Sequence, residues 1–245
     1  MSLETEVSAL TATAKSLIDY FNLKKSDIDK AVAAAVAAVP AMERTWYINQ
    51  VTGNDDNAGT IAAPFASIDK AIASTPSGGT CNIRLQSDYI HTKSTVVSVR
   101  NLLIASDVTG VKRKFSLTYQ MGSDAQYFLS GFAMSSSATV AFLDVLQVMP
   151  SPAGLNPAPS GTANIMFRSF SLQIAALYAI KYASCEMQMP ADFVGYLALQ
   201  HTNGLVLQVV SSSFPSGFAG RYAYGVPAGA LSKDYPNIMT NLSTL

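Results

Sequence analysis

The segment WYINQVTGNDDNAGTIAAPFASIDKAI, residues 46–72, is the most informative part of the chain about its fold. Its opening, Trp46-Tyr47-Ile48, has the aromatic and β-branched composition that is typical of a strand. The cluster at 53–59 is rich in Gly, Asn and Asp, which are turn-forming residues. The closing segment, 64–72, repeats apolar residues at helical spacing. The stretch therefore predicts a strand, a turn and a short amphipathic helix in succession.

Residues 80–210 show almost no helical periodicity. Short runs rich in Val, Ile, Leu, Phe and Tyr recur with centres roughly 8 to 15 residues apart, which is close to the spacing of an all-β chain. Alternation of apolar and polar residues is clean at 115–119 and 205–209. Such strands are compatible with a sandwich, a barrel or a β-solenoid. The insertion Pro150–Gly161 contains four prolines, so we predict a loop there.

The first forty residues carry an apolar seam. Its members are Leu3, Val7, Leu10, Ala14, Leu17, Phe21 and Ile28, with Lys24 in the remaining place. Successive members lie four and three residues apart in alternation, which is the a/d pattern of a heptad. After Ile28 the spacing changes and the apolar face broadens. We predict a helix over about Ser2–Val39, ended by Pro40, that either packs on its own domain or joins subunits.

The composition is unusually poor in charge. Lys+Arg and Asp+Glu number 16 each, and charged residues make up 13% of the chain, against roughly 25% in ordinary soluble proteins. Between Phe115 and Phe214 the charged residues are Asp124, Asp144, Arg168, Lys181, Glu186 and Asp192. A neutral chain lacks the basic face that binds nucleic acid, and it has no run of about 20 apolar residues that would insert into a membrane. We therefore expect apolar β surfaces to face other subunits.

Residues 46–72 resemble the opening of right-handed parallel β-helix proteins of the pectate-lyase-like superfamily. Those proteins often begin with an aromatic strand, a Gly-Asn-Asp turn, a Pro-Phe and an Ile-x-x-Ala-Ile helix that caps the solenoid. Residues 17–35 are similar to the N-terminal helix of bacteriophage tail fibres and tailspikes. Together the two resemblances imply a mainly β chain, with a right-handed parallel β-helix body, an N-terminal α-helix and a homotrimeric assembly.

The resemblance also implies an organisation into four segments. Residues 1–40 would be a coiled-coil-like helix, and 41–80 the opening strand and capping helix. Residues 81–210 would be the β-helix body, and 211–245 an irregular, aromatic-rich cap or tip.

The implied function is that of a phage tail fibre in the virion, which binds a capsule or lipopolysaccharide and so mediates adhesion to the host cell. Its partners would be two further copies, the host-surface glycan and a phage tail or baseplate protein at the N-terminal region. Two alternatives remain open: a tailspike depolymerase that cleaves the glycan, and a purely structural fibre shaft.

Catalysis would require two carboxylates on either side of a glycosidic bond, about 5 to 9.5 Å apart. The candidates are Asp144, Glu186 and Asp192. The alternative is that these acids cap turns, lie on the surface or pair with Arg168 and Lys181. The predicted body is short for a depolymerase, which argues against an enzyme.

The C-terminal aromatic residues are the predicted glycan-binding residues. Tyr222, Tyr224 and Tyr235 lie near Arg221, Lys233 and Asp234 in the sequence. Their rings could stack on sugars while the polar neighbours meet hydroxyl groups. The alternative is a packed C-terminal cap.

We predict neither a metal site nor a cofactor. The two histidines, His91 and His201, are far apart in the sequence, and no zinc-ligand spacing is present. A site on the axis of a trimer remains an alternative for His201 or Asp144. Residues 53–57 offer oxygen ligands for calcium but lack the EF-hand spacing, so a turn is the preferred interpretation.

Overall fold

The computed structural model describes residues 2–38, 42–135, 137–169, 177–198 and 204–245. The chain divides into two compact units, Met1–Met42 and Glu43–Leu245. Val39, Pro40 and His201, together with parts of two predicted strand runs at 170–174 and 199–200, lie outside the described residues.

The first unit contains one helix, α1, which spans Leu3–Ala38. At 1.5 Å per residue its 36 residues reach about 54 Å. The helix contains no Gly or Pro, and Glu4 and Glu6 in its first turn complement the helix dipole. Its large apolar side chains are exposed, because no other element of this unit covers them.

The second unit contains helix α2, at Ile68–Ala73, and seventeen strands among its described residues. The main sheet consists of β1 (Glu43–Ile48), β2 (Thr80–Leu85), β5 (Asn101–Ser106), β10 (Thr139–Leu143), β13 (Leu177–Ala183), β16 (Gly204–Val210) and β17 (Ile238–Thr240), paired in that order. The second sheet consists of β3 (Tyr89–His91), β6 (Arg113–Leu117), β11 (Val145–Val148) and β14 (Glu186–Gln188). The third sheet consists of β4 (Ser94–Val97), β9 (Gly131–Met134), β12 (Ile165–Ser169) and β15 (Tyr196–Ala198). A hairpin of β7 (Tyr119–Met121) and β8 (Tyr127–Leu129) is antiparallel.

All pairings within the three larger sheets are parallel. From β2 to β16, successive strands join the main, second and third sheets in turn, with the hairpin inserted between β6 and β9, and β17 then joins the main sheet beside β16. Alternate side chains of these strands are buried, and they form one apolar core.

The predicted fold class, a mainly β chain with a right-handed parallel β-helix body, does not hold as stated, although the predicted N-terminal helix is present as α1. The strands are divided among sheets of seven, four, four and two strands, and the last of these is antiparallel. A uniform solenoid would give each sheet the same share of strands. Two helices accompany the parallel sheets in the described residues, so the chain is better described as an α/β arrangement. The prediction was wrong because strand spacing does not specify which strands pair.

The stretch 46–72 folds as a strand, a turn and a helix. The Trp46 ring packs on the Phe65 ring with 5.2 Å between centroids, and its Nε1 donates to Thr75 Oγ1 at 2.9 Å. At Gly53, a Cβ atom would lie 2.3 Å from the Phe65 carbonyl oxygen, so only glycine allows this close approach of the backbone.

The acidic turn before α2 has a structural role. The Asp55 carboxylate accepts hydrogen bonds from the backbone N–H groups of Ala66 and Ser67, both at 2.9 Å, and from the Ser67 hydroxyl at 2.7 Å. Ser67 in turn caps α2 by accepting from the Lys70 N–H at 3.2 Å. Both carboxylate oxygens of Asp55 are therefore occupied by protein donors, which favours the interpretation of 53–57 as a turn.

A stack of aromatic rings runs through the core. The His91 ring lies between Phe115 and Phe132, with centroid distances of 5.5 and 5.0 Å. Its Nε2 is 2.9 Å from the Gly131 carbonyl oxygen, so Nε2 carries the proton and donates. Burial lowers the pKa of His91 below its usual 6.5, and Lys93 lowers it as well, although Gly131 and Asp69 act in the opposite direction.

We predict that stability falls as the pH drops below about 6.5. In this range the unfolded chain takes up a proton at His91 that the folded chain does not, and each pH unit then costs up to about 1.4 kcal/mol. Urea unfolding at pH 7.5 and 5.5 measures the loss. The variant His91→Phe keeps the ring stack but cannot titrate, so its stability should change much less between the two pH values. An equal loss in both proteins would contradict the assignment to His91.

Candidate functional site

The three candidate catalytic acids each have a separate structural environment. Asp144 lies between β10 and β11 with a φ of 53°, and its Oδ2 accepts from the Gly110 N–H at 3.2 Å. Glu186 begins β14, and its Oε1 accepts from Gln188 Nε2 at 3.5 Å. The exposed Asp192 accepts from the Ser151 hydroxyl. In the described part of the chain no hydrogen bond or ion pair joins any two of these acids, and their catalytic role stays a prediction.

The expected basic partners of these acids also have other contacts. Arg168 donates from Nη1 to the Ala163 carbonyl at 3.3 Å, and its guanidinium carbon lies 5.9 Å from the centroid of the Phe128 ring. Burial lowers the pKa of Arg168. Lys181 lies exposed on β13.

The three candidate tyrosines have different contacts. The half-buried Tyr222 packs against Phe214 and Phe218, with centroid distances of 5.5 and 5.1 Å, and burial raises its pKa. Tyr224 makes an edge-to-face contact with Tyr196 at 5.1 Å. Tyr235 follows a 3₁₀ turn, Ser232–Asp234, and its N–H donates to the Ser232 carbonyl at 3.2 Å. Of the three tyrosines, Tyr222 has the contacts that best fit the alternative of a packed C-terminal cap.

A group of residues around Tyr196 is the surface with the most suitable chemistry for a glycan. The Leu197 N–H donates to the Arg221 carbonyl at 2.8 Å, and the Tyr224 N–H donates to the Ala198 carbonyl at 2.9 Å. The chain at 221–224 therefore runs beside β15 and brings Tyr224 to Tyr196. Tyr196 was not among the predicted site residues, because it lies within a predicted strand and its partner is 28 residues later.

Charged groups accompany this aromatic pair. The Arg221 guanidinium carbon lies 5.7 Å from the centroid of the Phe193 ring, and Nη1 donates to the Gly195 carbonyl at 3.3 Å. Burial raises the pKa of Tyr119 to about 12; the backbone of Val194 and the charge of Arg221 lower it, and the charge of Asp192 raises it. The exposed Asp192 lies four residues before Tyr196 in the chain. We call Tyr196, Tyr224, Arg221 and Asp192 the Tyr196 surface.

Such a surface can bind sugars without any covalent chemistry. The partly exposed rings of Tyr196 and Tyr224 can offer apolar faces to sugar C–H groups. The guanidinium donates hydrogen bonds and the carboxylate accepts them.

A second concave region lies at the turns that precede β2, β5 and β10. It is an open hollow of about 260 Å³, lined by the hydroxyl-bearing Ser77, Ser98, Ser135 and Ser137 and by Arg100. No sequence pattern indicates it, because these serines are far apart in the chain.

The described residues contain no group of three His, Cys, Asp or Glu side chains that could hold a metal ion. The free cysteines Cys81 and Cys185 are buried, and burial raises the pKa of the Cys81 thiol to about 11. They are therefore poor nucleophiles at neutral pH. Among the described helices, none has the length and apolar character needed to cross a membrane.

The tyrosine contacts predict different effects of mutation. Tyr222→Ala should lower the free energy of unfolding by about 2 kcal/mol or more, because it removes a ring packed against two phenylalanines. Tyr224→Ala should cost less, because the Tyr224 ring packs edge-to-face on the half-buried Tyr196, whereas Tyr222 packs on the fully buried Phe218. Urea unfolding of both variants measures the difference. Equal losses would contradict the division into a cap residue and a surface residue.

Comparison with known proteins identifies no relative: no family model, no curated protein and no solved structure matches this chain.

Proposed function

We propose that this chain is a phage tail fibre protein that associates with copies of itself through α1 and binds a host-surface polysaccharide. The observation that carries the proposal is the exposed heptad seam of α1. Leu3, Leu10 and Phe21 are 77%, 71% and 60% exposed. A helix with such a seam gains its stability from a partner, because helical propensity alone contributes little.

The seam is complementary to itself. Val7, Ala14, Phe21 and Ile28 occupy a positions, and each apolar side chain that becomes fully buried contributes about 1.5–3 kcal/mol. Lys24 occupies a d position, and its Nζ lies 5.6 Å from the centroid of the Tyr20 ring. Its charge can therefore stay at the rim of the seam while its aliphatic stem packs inside. The expectation of three copies comes from the resemblance to tail fibres.

The Tyr196 surface supports adhesion to a polysaccharide. It consists of a few half-buried or exposed side chains, so a single contact would be weak. Copies joined by α1 would present the surface repeatedly, and a repetitive polymer would bind several at once with a large gain in avidity. The N-terminal region would attach the assembly to the phage tail or baseplate, which would make the protein part of the virion.

The self-association predicts a mass of about three times 25.9 kDa for the full chain in light scattering. Leu17→Asp with Phe21→Asp introduces charges into the seam and should give a monomer. The matched control is Ala12→Asp with Ser26→Asp, because both residues occupy f positions on the opposite face of α1. This control should keep the parent mass. A dimeric mass would change the number of copies from three to two, whereas a monomeric parent chain would contradict the role of α1.

Adhesion is tested with purified capsule and lipopolysaccharide immobilised on a sensor. Tyr196→Ala and Tyr224→Ala should each weaken binding by about tenfold, since avidity multiplies the loss of an aromatic contact worth about 0.5–1.5 kcal/mol. Tyr47→Ala, on the edge strand β1 of the main sheet, is the control. An oligomer that binds neither glycan would favour the structural shaft, and the release of reducing or unsaturated ends would favour the depolymerase.

A further inference from the structure

The outer face of the main sheet is large, and about half of its positions are apolar. Strands β2, β5, β10, β13 and β16 pair in register, and each contributes one residue to each of three rows on the side opposite the core. Of these fifteen positions, eight are apolar and Arg84 and Lys181 are the charged ones. Examples of the apolar positions are Leu103, Ala141 and Val206.

On the second sheet, charged residues make up a larger share of the outward positions. Strands β6, β11 and β14 contribute two outward positions each, which are Lys114, Ser116, Leu146, Val148, Glu186 and Gln188. Two of these six are charged, against two of fifteen on the main sheet. Charged residues are therefore a smaller share of the outer positions on the main sheet than on the second sheet.

The size of this face suits a protein interface. With β1, whose Glu43 adds a third charge, and β17 included, seven strands about 4.8 Å apart span about 29 Å. Six residues reach about 20 Å, so the flat area is about 600 Å². A standard interface buries about 800 Å² on each partner. Large apolar side chains stand at the ends of the face: Leu177, Val210 and Met239 are 49%, 45% and 56% exposed.

A second copy of this chain is the partner that the observations favour. Self-association through α1, proposed above, would tether the bodies of the copies and raise their effective concentration to the millimolar range. At that concentration even a modest apolar contact would be populated. Copies with zero net charge also repel one another little.

We propose that the outer face of the main sheet packs against the body of a second copy. This inference rests on the proposed self-association through α1, but it assigns a separate surface. The face would then be covered in the assembly, whereas the outer face of the second sheet would stay open to solvent.

The test compares two exposed glutamines on strands of different sheets. Gln208 lies on β16 of the main sheet and Gln188 on β14 of the second sheet. The variants Gln208→Cys and Gln188→Cys are made in the full chain, where the two natural cysteines are buried. Reaction with a bulky maleimide is then followed by mass spectrometry. Lys181→Cys, on the adjacent strand in the same row as Gln208, provides a second position on the face.

Gln208→Cys and Lys181→Cys should react at least tenfold more slowly than Gln188→Cys in the intact assembly. Adding Leu17→Asp and Phe21→Asp should restore fast labelling on the main sheet and leave Gln188→Cys unchanged. Fast labelling of both main-sheet variants in a chain that light scattering shows to be oligomeric would overturn this inference and leave the role of α1 intact. A monomeric parent chain would overturn both.

Discussion

The structure depends on the in-register parallel pairing of the main sheet. Because β2, β5, β10, β13 and β16 pair without a shift, residues at alternate positions fall into rows that cross the sheet. The inner rows join the aromatic stack of the core, which includes Phe142 and Tyr182 at 5.2 Å. A shift of one residue would expose these rings and bury Arg84 and Lys181.

The same strand pairing decides both which residues are buried in the core and which lie on the surface. It fixes which residues face outward, so an apolar outer row such as Leu103 and Ala141 is a consequence of register and sequence together. Buried residues of the second and third sheets belong to the same core, and the Tyr196 surface lies where residues 221–224 run beside β15. Packing between copies and binding of the glycan would thus use different surfaces of the second unit, while α1 would hold the copies together.

Local patterns in the sequence predicted the elements better than their arrangement. The heptad steps indicate a helix where α1 lies. The alternation at 205–209 falls on β16, and that at 115–119 covers the end of β6 and the start of β7. Which strands pair is a long-range property, and their spacing fits several folds equally well, so the predicted solenoid needed correction. Tyr224 was identified from local composition, but its contact with Tyr196 depends on the pairing beside β15. The stacking of His91 between two phenylalanines from other strands likewise leaves no local signal.

The proposed function requires that the chain form an assembly of copies joined through the seam of α1. Sedimentation equilibrium of the full chain, over a range of concentrations down to the low micromolar, measures the mass of that assembly. We expect a single species of about three times 25.9 kDa throughout this range. A species of 25.9 kDa at every concentration would contradict the proposed assembly.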